Sequence, residues 1–160
     1  MLYDPNVLKT VPDCRLALER AIQAGEAEFV KPLYVRLAQL GGADYSDPLE
    51  AAFHSLLTVY EQTLRRGRAN RVRIKLKNLG GGASAVEKIL IGWCRAKRMS
   101  SGFERMVEFG LKDRVGEYIV GIDFPARFPS EVVEAARAKL IKYDIVTADE
   151  LSQLIAPPRN

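Results

Sequence analysis

A mainly α-helical fold, one compact multi-helix domain of about 7–9 short helices, is what this sequence predicts. Three observations predict it. Apolar residues recur at helical spacing along most of the 160 residues. Ser, Thr and Asp stand where helices would open, and Gly or Pro where they would close. β-Branched residues gather in only two short places, 71–77 and 118–122. The length suits a single domain over residues 1–160. A chain of that size buries roughly two thirds of its unfolded surface.

The elements follow in order. A first helix at about 13–24 has Asp13 as its cap and Gly25 as its stop. A second at about 27–40 is closed by Gly41-Gly42; Pro32 inside it predicts either a start at Lys31 or a kink. The clearest helix is 47–66. Ser46 caps it, Pro48 suits its first turn, and Leu49, Phe53, Leu56, Leu57, Tyr60 and Leu64 form its buried stripe. Arg65 and Arg66 suit its negative end and Gly67 its stop.

Segment 68–79 reads two ways. As a strand, Arg71 to Lys77 alternates cation and aliphatic without error, and 118–122 is the partner for a small β-ribbon. As a helix, Val72, Leu76 and Leu79 share a stripe and Ile74 points away from it. The helical neighbours favour the helix. Gly80-Gly81-Gly82 breaks the chain, and a helix at 84–97 follows with Ser84 and Glu87 as a capping box. Short helices at 102–109 and 112–121 meet at Gly110, and Pro125 and Pro129 bracket an extended aromatic loop. A helix at 131–143 follows Ser130, and Thr147 with Glu150 forms a capping box for the last.

Composition narrows the function classes. Two cysteines, Cys14 and Cys94, lie 80 positions apart and outside any CxxC pair, which predicts reduced thiols and a cytoplasmic protein rather than a disulfide framework. No apolar run reaches the roughly 20 residues of a membrane span, and the N-terminus lacks the pattern of a secretory signal. With one histidine, a zinc site would have to be built from carboxylates, so no metal or other cofactor is expected.

Charge is the informative signal. Residues 1–64 carry a net −4, residues 65–98 a net +10, and residues 99–160 a net −2. The basic segment holds Arg65, Arg66, Arg68, Arg71, Arg73, Lys75, Lys77, Lys88, Arg95, Lys97 and Arg98 against a single acid, Glu87. Such clusters bind phosphate backbones because each cation that neutralises a phosphate releases condensed counterions. Asn70 and Asn78 are candidates for contacts to bases or sugars. The competing reading is a solvated helix face, or cations that pair with the acidic flanks.

Motifs add little. A helix–turn–helix drawn from 84–95 through 98–102 to 103–110 would turn Glu104 and Glu108 toward phosphates. The triple glycine lacks the Lys-Ser/Thr of a Walker loop and the spacing of a dinucleotide fingerprint, which leaves a C-cap and turn. His54 falls roughly 110° off the apolar stripe at 100° per residue, a border position near Glu50 or Glu61. Cys94 belongs to the core beside Trp93. Glu104, Glu108, Asp113, Glu117 and Asp123, with Lys112, have the spacing of either a magnesium site or a salt-bridged surface; the surface is favoured.

The expectation is therefore a non-catalytic, nucleic-acid-binding or nucleic-acid-associated protein whose cationic segment holds phosphates of DNA or RNA. The alternative is a helical interaction module that docks an acidic protein or self-associates. A metal-dependent nuclease stands third.

Overall fold

The computed structural model describes residues 4–63, 66–99 and 102–157; the side chains of residues 66–68 fall outside that description. The described residues form nine α-helices and no strand: α1 Val11–Ala24, α2 Ala27–Gly42, α3 Pro48–Thr63, α4 Arg66–Asn78, α5 Ala83–Arg95, α6 Phe103–Glu108, α7 Gly116–Tyr118, α8 Ser130–Lys142 and α9 Ala148–Ile155. Single 3₁₀ turns lie at Pro5–Val7, Lys112–Arg114 and Pro125–Arg127, and a π turn, Ile119–Asp123, continues α7. The mainly helical class stands. The β-ribbon does not form: 71–77 lies within α4 and 118–122 within α7 and its π turn. A two-stranded ribbon has no sheet to rest on here, whereas α4 buries Ala69 and Leu76 on one side.

α3 is the axis of the molecule. Every residue from Phe53 to Tyr60 is buried, including His54, Ser55 and Thr58. It packs against α2, α4 and α5, so it has no solvated face. The stripe Leu49, Phe53, Leu56, Leu57 and Tyr60 is buried as its spacing implies, and Leu64 lies outside the described residues. Each such side chain contributes roughly 1.5–3 kcal/mol on burial. One hydrophobic cluster runs from Cys14 on α1 to Leu151 on α9.

α2 runs through Pro32, which costs the helix one amide hydrogen bond, and continues to Gly42. The helix thus closes at Gly42, two residues beyond the expected 40, with the glycine pair in its last turn. The pair lets two helices touch: a Cβ on Gly41 would land on the Thr58 side chain, and one on Gly42 on the Ala51 carbonyl oxygen and Ser55 Oγ. Gly67 is not a stop, because it sits in the first turn of α4.

Helix ends differ from expectation by a residue or more. Thr10 caps α1 by accepting from the Asp13 amide at 3.2 Å, and Asp47 accepts from the Glu50 amide at 3.1 Å before α3. Ser84 and Ser130 lie inside α5 and α8, whose caps are Gly82 and Pro129 without a side-chain bond. The Ser84–Glu87 box is thus absent because Ser84 lies past the cap position. The Thr147–Glu150 box forms in full. α4 closes as a turn of the Schellman kind, Gly81 N–H donating to the Leu76 carbonyl and Gly80 N–H to that of Lys77, with Gly80 at φ +101°. The loop between Pro125 and Pro129 contains a 3₁₀ turn rather than extended chain.

Candidate functional site

The basic segment is built on α4, α5 and the loop that follows. α4 carries no acid from Arg66 to Asn78. Its inward side is Ala69, Val72 and Leu76; Asn70, Arg71, Ile74, Lys75, Lys77 and Asn78 face solvent. Arg65 lies outside the described residues, as do the side chains of Arg66 and Arg68 in the first turn of α4. Lys88 and Arg95 are exposed on α5, and Lys97 and Arg98 in the loop beyond it.

Two of these cations are spoken for. Arg73 Nε donates to Glu61 Oε1, and the same carboxylate accepts from Arg15 Nη2 at 2.5 Å. Arg95 Nη2 meets Glu131 at 2.8 Å, both side chains well exposed, a contact that contributes little. Arg71, Lys75, Lys77, Lys88, Lys97 and Arg98 pair with no carboxylate among the described residues.

The neighbouring acids are occupied. Glu87, the one acid of the segment, accepts from Arg127 Nε at 3.1 Å and Nη2 at 2.9 Å, while Nη1 of the same guanidinium reaches both oxygens of Asp47 at 2.8 and 3.0 Å. The Glu50 amide, with Arg127 adding to it against burial, holds the Asp47 carboxyl below its ordinary range. Burial works to raise Glu61, but hydrogen bonds from Arg73 and Arg15 outweigh it and the net shift is downward.

The loop after α5 is pinned from below. Lys139, on α8, is 7% exposed. Its Nζ donates to the Trp93 carbonyl at 2.7 Å and the Arg98 carbonyl at 2.9 Å, with Glu117 Oε1 at 3.6 Å. Glu117 is fully buried. An ammonium at the C-terminal end of α5 suits the negative end of the helix dipole. Glu117 was expected on a salt-bridged surface, and Lys139 was not singled out. The signal was present: Val132, Val133, Ala136, Lys139 and Leu140 share one helical stripe, so Lys139 lies on the inward face of α8.

The remaining candidates resolve as follows. His54 is not a border residue. It is buried and stacked on Tyr45 with ring centroids 3.8 Å apart, and burial first, then Arg73, lowers its pKa below 6.5. Glu61, one of its expected neighbours, is held by Arg15 and Arg73. Cys94 is core, its thiol pushed up to about 12 mainly by burial. Cys14 is likewise buried and donates to the Leu33 carbonyl at 3.3 Å. No three His, Cys, Asp or Glu side chains among the described residues are grouped to hold a metal. Of the 104–123 carboxylates, Glu104 is exposed and Glu108 pairs loosely with Arg105. Asp113 and Asp123 line a cavity of about 130 Å³ with Arg114, Ala52 and Ile119. Lys112 reaches Glu150 instead, at 3.9 Å. The second helix of the helix–turn–helix reading is only the six residues of α6. No helix among the described residues is long and apolar enough to cross a membrane.

No protein-family model matches the chain, and no curated protein or solved structure is similar to it.

Proposed function

We propose that this protein binds nucleic acid through the phosphate backbone, with the outer faces of α4 and α5 and the loop carrying Lys97 and Arg98 as its cationic surface. One observation carries the reading. Six cations of the segment stand exposed and pair with no carboxylate among the described residues, while the acids that would quench them, Glu61 and Glu87, are engaged by arginines. Surface charges that merely solvate a helix are normally interspersed with acids; α4 has none.

The experiment is a titration of labelled duplex DNA, single strand and RNA at several salt concentrations. With about five cations on the backbone, log affinity should fall against log salt with a slope of about −4 on duplex DNA. The double substitution R71E/K75E should weaken binding to all sequences about equally and leave the melting temperature unchanged, since both side chains are exposed. No measurable binding by the unaltered protein at low salt would end the proposal and leave the acidic-partner module in its place.

A further inference from the structure

We infer that α4 is a groove-reading helix and that the nucleic acid it reads is double-stranded DNA. This rests on the phosphate-binding reading above and names both the class of nucleic acid and the side chains aimed at its bases.

The outermost ridge of α4 is Asn70, Ile74 and Asn78, at i, i+4 and i+8, all exposed. Ile74 is 59% exposed, although it is a large aliphatic residue on a well-formed helix. At 1.5 Å per residue the ridge runs roughly 12 Å, the length of three to four base steps. At about 100° per residue, Lys77 lies roughly 60° to one side of Ile74 and Arg71 roughly 60° to the other, with Lys75 further round beside Arg71. The outward surface is thus a neutral ridge flanked by cations on both sides. The inward residues Ala69, Val72 and Leu76 hold the helix to the core, and Arg73 is tied to Glu61.

A major groove presents the matching chemistry, with base edges on its floor and phosphates on both walls. Carboxamides pair with the N6/N7 edge of adenine, and an aliphatic side chain suits the thymine methyl. Asn–Ile–Asn along a ridge is a reader of A·T-rich steps in those terms. The major groove of duplex RNA is deep and narrow and excludes such a helix, so the partner is B-form DNA. An anionic lipid surface would call for an apolar stripe several residues wide, whereas Ile74 has asparagines above and below it.

The test uses fluorescence anisotropy on a labelled DNA duplex, the RNA duplex of the same sequence, and vesicles of phosphatidylserine and phosphatidylcholine at equal salt, after selection of tight binders from randomised DNA. Duplex DNA should bind at least about tenfold more tightly than duplex RNA, and the selected pool should be enriched in A·T steps. The N70A/N78A variant should flatten that preference yet bind unselected duplex within about threefold of the parent. Replacing thymine by deoxyuridine in a selected duplex should weaken the parent protein and leave I74A unaffected, a comparison that needs no change to the fold of the parent. Equal, salt-steep binding to the DNA and RNA duplexes would overturn this inference and spare the phosphate-binding reading. Tighter binding to vesicles than to either duplex would overturn it as well. Absence of binding to any nucleic acid would remove both.

Discussion

Single atoms decide how α2 meets α3. Gly42 has no room for a methyl group because the Ala51 carbonyl and Ser55 Oγ occupy the place, and a backbone carbonyl cannot swing aside. Gly92 on α5 has nothing within 4 Å of where its Cβ would be. Gly92 lies inside α5, where alanine brings an intrinsic gain of up to about 1 kcal/mol, and Gly42 is the last residue of α2, where the gain is smaller. The overpacking cost of roughly 1–3 kcal/mol falls on Gly42 alone. Thermal melting should therefore rise for G92A and fall for G42A. A G42A variant as stable as G92A would refute the close approach of the two helices. This contact was not legible in the sequence, where two glycines after an apolar stripe read as a stop. A glycine that ends a helix and one that admits a neighbour look alike until the neighbour is placed.

At the scale of elements, buried charge on α8 and α7 fixes the loop that presents Lys97 and Arg98. Removing the Lys139 ammonium by K139M frees the carbonyls of Trp93 and Arg98 and takes the cation from beside the buried Glu117. Breaking a buried pair from one side costs about 3–5 kcal/mol. The double variant K139M/E117Q should recover part of that loss, because the carboxylate charge goes with its partner. Trypsin cleavage at Lys97 and Arg98, slow in the parent, should accelerate in K139M; equal rates in the two proteins would mean that the loop is held by something else. Element identity was largely legible. The stripes of α3, α5 and α8 follow from period alone, and so did Ile74, which the helical reading of 68–79 placed off the apolar stripe and which is exposed. Burial around a helix was not legible. Period assigns one inward face, and α3 has none that faces out, so His54 was put on a border that does not exist. The basic segment was visible as a count of charges. Which of its members remain unpaired depended on Glu61 and Arg127, residues outside the segment whose partners only the fold brings near.

For the molecule as a whole, the titratable groups predict how stability varies with pH. Asp47 and Glu61 have lowered pKa values, so the stability they contribute is present above their unfolded values of 3.8 and 4.5 and is lost as pH falls through the lower folded ones. His54 is kept neutral by burial and by Arg73. The unfolded chain takes up its proton first, and stability drops as pH falls below 6.5. Asp123 has the opposite sign. Burial, with Asp113 adding to it and Arg114 opposing, raises its carboxyl from 3.8 to about 6. The folded state then holds the proton that the unfolded state has released, so stability decreases as pH rises through that window. The residue is exposed overall, and water screens part of this effect. His54 and Asp123 therefore act with opposite sign, and the parent protein should show a shallower profile than either group alone would give before acid unfolding below pH 4.5, the unfolded value of Glu61. Two variants separate the contributions. In D123N the slope of unfolding free energy against pH between 3.8 and 6 should become more positive, because the opposing contribution is gone while those of His54 and, below 4.5, Glu61 remain. In H54Q the slope should become more negative, whatever the constant offset from altering a buried ring. Denaturant unfolding at a series of pH values reads both slopes. A D123N profile parallel to that of the parent would show that burial and Asp113 do not raise the Asp123 carboxyl in the folded protein.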